Sequence, residues 1–444
     1  MSLQVRRLAW AVAIGFLTLA LTAGYWAYLR REPLLSRADN PRRVLAEVRV
    51  PRGPIYDRHD QPLATTLGEP GDWRRAYPYA PLAPVLGYVS PLYGRAGIEA
   101  AFDGVLHGDA GLEPFDYYWQ ATVLGQPPAG RGVRLTLDLT LQQEADAALG
   151  GLTGAVVALD AQTGEVLALA SHPTFDANQL EGDWETLLAD PNAPLLNRAT
   201  LGLYQPGGAL WPLVLAGAAE SGQLDLGRSY RLETLSLPMG DEALNCRVPP
   251  RLAALTLRES LLFGCPGPTG TVGAALGADK LQELFAAFGL STAAPLALPT
   301  SVSTAQPVAA GQEAVAAAGQ GALTLTPLQL ALATSALVRD GMLPAPQLVL
   351  ATQNPDGVWR PEAPPRQPQR AVSTEAAAQV RPLLAHGYAS TAASGTEGRT
   401  LTWYQVFGPQ ADARVVVVVL LEGGSPDIAA GIGEDLLATA LARP

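Results

Sequence analysis

Lysine is almost missing from this sequence: Lys280 is the single one among 30 basic residues, and the rest are arginine. A mechanism that needs a lysine amine as base or nucleophile has one residue to draw on. Lys280 lies in Ala-Asp-Lys-Leu-Gln-Glu-Leu-Phe, the start of an amphipathic helix, where a lysine faces solvent. Cysteine occurs twice, at Cys246 and Cys265, and histidine four times. No group of His, Cys, Asp and Glu stands at metal-ligand spacing, so neither a metal nor a cofactor is expected. Excess positive charge is lacking too. A net charge of -11 and a pI near 4.9 exclude nucleic acid as a partner. What remains is a chain of 444 residues, 48% hydrophobic and 16% charged, long enough for two or more domains with real cores.

One long apolar run is present. Residues 8–29 carry no charge, with Arg6 and Arg7 before them and Arg30 and Arg31 after. As a helix the run would cover about 30 Å, enough to span a bilayer. A cleaved signal peptide is the other reading, but the length favours an uncleaved anchor. The flanking arginines balance and leave the orientation open. Residues 1–7 are then a short cytoplasmic tail, 8–29 the anchor and 30–39 a charged linker, with everything later on one side. Outside the cytoplasm Cys246 and Cys265 are free to form a disulfide contributing about 2–4 kcal/mol; two unpaired small apolar side chains are the alternative.

Further along, residues 133–137 alternate as a strand does, and Asp138 caps a helix running through Leu149. Residues 154–171 form the clearest hairpin, two apolar strands around Asp160-Ala161-Gln162-Thr163-Gly164. His172 ends the second strand with no serine or cysteine motif beside it, which favours a structural role over a catalytic one. Residues 352–370, rich in proline, suggest an exposed excursion. The valine-rich run 414–421 suits a strand buried on both faces, and 428–442 a closing helix.

Specific phrases carry a family resemblance. Asn197-Arg198-Ala199 is followed by Tyr204-Gln205-Pro206-Gly207; Gly319-Gln320-Gly321 precedes Thr326-Pro327-Leu328-Gln329. Earlier come Asn40-Pro41-Arg42, Arg52-Gly53-Pro54-Ile55-Tyr56-Asp57-Arg58, Gly97-Ile98-Glu99 and Leu106-His107-Gly108. Together these resemble the class B penicillin-binding proteins, the peptidoglycan D,D-transpeptidase family. The resemblance implies an α+β fold. Residues 40–130 would form an elongated, dimerisation-like pedestal without a compact core of its own. Residues 131–444 would form a penicillin-binding-protein/β-lactamase-like transpeptidase domain, an antiparallel sheet flanked by helices with a helical subdomain. Arg52, Asp57, Arg58 and Glu99 are expected to pair structurally at turns between strands.

The family places chemistry at three motifs, and here all three are altered. Gly208 stands at the serine and Trp211 at the lysine of Ser-x-x-Lys. Gly264-Cys265-Pro266 falls on Ser-x-Asn, with Gly264 and Pro266 offering no side-chain hydrogen bond. Tyr388-Ala389-Ser390 falls on Lys-Thr-Gly and lacks its cation. Pro212 fits only a first helical turn, so the helix is expected to begin near it, leaving position 208 in the preceding loop while Trp211 and Tyr388 fill the cleft.

From these positions the chain is expected to be no enzyme but an inactive scaffold or regulator in cell-wall synthesis or division. The alternative is an active peptidoglycan D,D-transpeptidase that binds penicillin, with nucleophile and base drawn from outside the motifs; a third reading is a module binding peptidoglycan stem peptides. The partners implied are the membrane, crossed once, membrane proteins of wall synthesis or the divisome, and stem peptides. The bulk of the chain is expected outside the cytoplasm.

Overall fold

The computed structural model describes residues 3–26, 50–113, 115–116, 119–125, 128–240, 242–305, 308–364, 366–393 and 400–443. Helix α1 (Leu3–Gly24) is exposed along its length, and its stretch Gln4–Gly24 is long and apolar enough to cross a membrane. It starts ahead of the uncharged run and takes in Arg6 and Arg7, since arginine is a good helix former that does not end a helix. The linker 30–39 and the phrase Asn40-Pro41-Arg42 lie outside the described residues.

The first sheet is built from short strands. β1 (Ile55–Tyr56) pairs antiparallel with β2 (Pro62–Leu67), and β2 with β3 (Arg74–Ala76); β4 (Val133–Leu135) lies parallel to β1. Val349–Gln353 and Trp359–Pro361 extend the sheet beyond β4. The stretch expected as an exposed excursion therefore contributes a strand. The Arg134 guanidinium sits 4.4 Å from the Trp359 ring centroid, a cation–π contact that anchors it. The pedestal's apolar side chains join the core of the rest of the chain. Ile55, Leu63, Leu82, Leu86, Ile98 and Leu106 are fully buried in one cluster with the rest of the chain. Each short element gives one or two apolar side chains, too few to show a period in the sequence.

Charges hold this region as expected. Arg52 pairs with Glu99 at 3.0 Å and Asp103 at 2.7 Å, and Arg75 also reaches Glu99. Asp57 accepts from the amides of His59 and Gln61, closing the turn, and from that of Leu139, tying it to the second sheet's helices.

That second sheet positions the site. β5 (Gly154–Asp160) and β6 (Val166–His172) form the hairpin; β7 (Tyr388–Ala393), β8 (Thr400–Gly408) and β9 (Val415–Glu422) complete an antiparallel sheet ordered β7-β8-β9-β5-β6. β9 is buried on both faces because helices cover both. On one side lie α2 (Leu139–Leu149), capped by the Asp138 carboxylate, and the closing helix. On the other lies α3 (Trp211–Glu220), then α4 (Leu257–Phe263) and α5 (Pro266–Leu276) further out, with α6 (Pro327–Val338) directly under the strands. All twelve residues of α6 are buried. Its start is fixed by a Thr326/Gln329 capping box and by Pro327 in the first turn. The closing helix is α7 (Pro426–Ala442).

Candidate active site

The site lies where the turn before α3 meets the start of edge strand β7 and the junction between α4 and α5. The turn is held from behind. Asn197 Nδ2 donates to the Pro84 carbonyl at 3.0 Å, and the Arg198 guanidinium donates to Glu422 (2.8 Å) and to the carbonyls of Ala193 (3.1 Å) and Asn192 (2.6 Å). The Tyr204 hydroxyl donates to the same Glu422 carboxylate at 2.7 Å. Burial and this contact raise the Tyr204 pKa, so the phenol stays a donor. Gly207 then turns the chain with φ of 51°. A side chain on it would collide with the Thr391 carbonyl, and one on Gly319 (φ 74°) would collide with the Gly207 backbone. Two glycines thus allow turn, strand and the Gly319-Gln320-Gly321 loop to close on one another.

Gly207–Leu210 is a 3-10 turn that runs into α3 at Trp211. The α-helix begins at Trp211, beside Pro212 as expected, but position 208 is in the 3-10 turn and not in the loop that the Pro212 argument placed it in. Pro at the second residue of α3 lacks an amide, but a tighter turn ahead of it needs none from that position. Trp211 is buried and its Nε1 donates to the Ala318 carbonyl at 3.1 Å.

Opposite Gly208 stands Ser390. A side chain begun on Gly208 would meet Ser390 Cβ at 2.8 Å and Oγ at 3.6 Å. On β7 the inward positions are Tyr388, Ser390 and Ala392, with Ala389 half-buried between. The hydroxyls of Tyr388 and Ser390 are buried and have no hydrogen-bond partner among the described residues. Burial raises the Tyr388 pKa, and the Arg247 charge opposes this in part; the phenol is neutral at physiological pH.

The third wall is the α4–α5 junction. Gly264 (φ 64°) ends α4, Cys265 is bonded to Cys246, and Pro266 opens α5. The disulfide brings in a loop that the motifs did not point to. The Arg247 amide donates to the Gly264 carbonyl at 3.1 Å and the Val248 amide to Phe263 at 3.0 Å. The Arg247 side chain crosses the space that a side chain on Gly264 would fill. Gly208, Trp211, Arg247, Pro266, Tyr388 and Ser390 surround a cavity of about 80 Å³. Trp211 and Tyr388 thus narrow the cleft without closing it. All the motif positions named from the sequence meet here, with Gln320 of the Gly319-Gln320-Gly321 phrase; Arg247 and Asn245 join them unforeseen. Only the position of Arg247 beside Cys246 could have flagged it. His172 lies elsewhere, its Nε2 on Asp146 at 3.0 Å and Nδ1 on the Gly150 carbonyl, in the structural role expected.

The family model of the penicillin binding protein transpeptidase domain matches residues 154–433 of this chain. The chain belongs to the penicillin-binding-protein transpeptidase family. The model of the penicillin binding protein A dimerisation domain matches residues 52–133. Among curated proteins, the chain is 31% identical to peptidoglycan D,D-transpeptidase PbpA of Mycolicibacterium smegmatis, over 99% of each chain. Among solved structures, the imipenem acyl-enzyme complex of penicillin-binding protein A from M. tuberculosis superposes with a TM-score of 0.81 at 28% identity, covering 89% of this chain and 100% of that one. The penicillin G acyl-enzyme complex of the same protein gives 0.78 at 28% identity, covering 88% and 100%.

These relatives correct one expectation. The altered motifs pointed to a chain that is no enzyme, whereas its relatives over nearly the whole length are D,D-transpeptidases by name and form acyl-enzymes. The motif argument weighed each position alone. It had no access to the sheet register, which puts the Ser390 hydroxyl beside the place vacated at Gly208.

Proposed function

We propose that the chain works at the membrane in peptidoglycan assembly, as a D,D-transpeptidase whose acyl acceptor is Ser390. One observation carries this reading: a buried hydroxyl without a partner among the described residues, 3.6 Å from where a side chain on Gly208 would begin, in a family with members solved as acyl-enzymes. Neither Gly208 nor Trp211 can carry an acyl group. In the step, Ser390 Oγ bonds to the carbonyl carbon before the terminal D-residue of a stem peptide. The amide C–N bond breaks, and the serine proton leaves on the released amine. An amine of a second strand then takes the acyl group and returns a proton to Ser390. A β-lactam ring opens on the same oxygen.

By the same reading α1 crosses the membrane once and the bulk of the chain lies outside the cytoplasm. The pedestal, residues 40–130, and α1 offer the surfaces for membrane proteins of wall synthesis, and residues 131–444 carry the cleft. Incubating the detergent-solubilised full chain with fluorescent penicillin, followed by intact-mass measurement and peptide mapping, tests the assignment. An adduct on Ser390, absent in Ser390→Ala, is expected. An unmodified mass overturns the activity, and an adduct on another residue overturns the choice of acceptor.

A further inference from the structure

A second cavity, of about 510 Å³, lies away from the cleft. One wall is β3 with the residues on either side of it; the other is residues 177–182, which lead from β6 into the helix Leu180–Ala189. β6 and β7 are opposite edges of the five-stranded sheet, so four strand spacings, about 19 Å, separate the strand that leads here from the strand of the cleft. The volume falls within the range of about 300–1,000 Å³ usual for small-molecule sites.

The walls carry donors and acceptors that the protein itself leaves unused. Arg75 is the deepest. Its side chain is 5% exposed, its Nε donates to Glu99 and its Nη1 to the Gly53 carbonyl at 2.8 Å, but its Nη2 has no partner among the described residues. A buried N–H left in this way costs free energy until something accepts from it. Trp73, half-buried on the same wall, brings an aromatic ring and an indole N–H. On the other wall Glu181 accepts from the Ser90 hydroxyl through one oxygen at 2.9 Å, and Gln179 donates through its amide nitrogen to Asp176. The second Glu181 oxygen and the Gln179 carbonyl are acceptors to spare among the described residues.

Charge and shape remove most kinds of ligand. Arg52 and Arg75 face Glu99 and Asp103, and Arg74 faces Asp72, so no net positive charge is left to hold a phosphate or sulfate. The arginines oppose a cation, and an apolar ligand would leave Arg75 Nη2 unpaired. Strand addition by a peptide is blocked at one end. The Asn178 side chain accepts from the Tyr77 amide at 2.9 Å and donates to the Tyr77 carbonyl at 3.0 Å, closing the edge beyond β3 as a paired residue would. β3 itself is three residues long, a short edge to build on. What fits is a neutral ligand with many hydroxyls, an apolar ring face to lie near Trp73 and a strong acceptor for Arg75. A sugar has the first two, and an acetamido group on it supplies the third.

We propose that this cavity binds a neutral oligosaccharide of N-acetylated amino sugars. The source of that sugar rests on the transpeptidase reading: it is the glycan strand that carries the stem peptides. The chain then holds the strand at a place of its own while the peptide reacts in the cleft.

Calorimetric titration of the full chain, in a detergent without a sugar headgroup, tests the site. The probes are N,N′-diacetylchitobiose, cellobiose and the blocked peptide acetyl-tetraalanine amide. Diacetylchitobiose is expected to bind at least tenfold more tightly than cellobiose, which lacks the acetamido groups. Trp73→Ala should weaken it at least tenfold and Trp73→Phe less. Glu181→Ala should weaken it severalfold, and this exposed residue keeps the test open if the Trp73 variants do not fold. No binding of diacetylchitobiose, equal affinity for cellobiose, or full affinity in both Trp73→Ala and Glu181→Ala at unchanged melting temperature overturns the site. Tighter binding of the peptide than of either sugar makes β3 a strand-addition edge and overturns it as well. Fluorescent penicillin labelling of the parent chain is read separately. A labelled chain that binds no sugar loses this proposal and keeps the transpeptidase reading; a chain that binds the sugar and takes no label keeps the saccharide site and loses that reading.

Discussion

The two sides of the Gly207 turn are built on opposite terms. Behind it, Asn197, Arg198, Tyr204 and Glu422 satisfy one another and the nearby carbonyls, in a set of bonds between 2.6 and 3.1 Å. In front of it, Tyr388 and Ser390 are as deeply buried, and among the described residues their hydroxyls have no hydrogen-bond partner. A buried polar group without a partner costs about 1–3 kcal/mol, so the front face holds a cost that the rear face does not. The rear is a frame and the front is held ready for a ligand. Mutations on the two sides should therefore change stability in opposite directions.

The rear should give the largest loss. Arg198→Ala leaves the Glu422 carboxylate and the Asn192 and Ala193 carbonyls with fewer partners around a largely buried pair. A loss of about 3–5 kcal/mol is expected, read by urea denaturation of the detergent-solubilised chain. A loss below about 1 kcal/mol would mean the network is solvated in practice and the contrast between the faces is false. The front should give a smaller change of the other sign. Tyr388→Phe deletes an unpartnered hydroxyl and keeps the ring, so the midpoint should rise by an amount equivalent to about 1 kcal/mol. A fall of that size would show that the phenol has a partner in solution and that the front face carries no such cost.

Much of the frame was legible in the sequence because it rests on local rules. Asp138, Thr256 and Thr326 each cap a helix with the side chain that their residue type predicts. The hairpin strands Gly154–Asp160 and Val166–His172 follow from apolar runs on either side of turn residues. The cleft was legible only in part. Its motif positions could be counted off, but what faces Gly208 is set by the register of β7 against a turn about 180 residues away in the sequence, and no period encodes that. Arg247 was invisible for a similar reason: one cysteine pair, whose bonding the sequence left open, brings it to Gly264. The loop expected at Gly208 failed on a finer point. Proline forbids an amide at one position, yet a 3-10 turn can run up to it.

The smallest effect separates frame from chemistry at the other end of the sheet. His172 is the one histidine that sequence reasoning had to weigh as a possible base, and its surroundings fix how its charge matters. Burial disfavours the charged ring, but the hydrogen bond and charge of Asp146 and the Gly150 carbonyl outweigh it, and the pKa is raised above the ordinary 6.5. The Tyr79 hydroxyl and the Gln142 amide also donate to the Asp146 carboxylate, at 3.1 Å each, so the pair is oriented on every side. A raised folded-state pKa means that the folded chain binds the proton more tightly than the unfolded one. The stabilisation is complete below the unfolded value near 6.5 and fades as pH rises through the folded value. His172→Gln should therefore cost most stability near pH 6 and progressively less towards pH 9, while penicillin labelling at fixed pH stays unchanged. A stability difference independent of pH would show that the ring is neutral throughout and works by shape alone. Loss of labelling in a variant that still folds would make His172 part of the reaction, and the division between frame and front face would have to be redrawn.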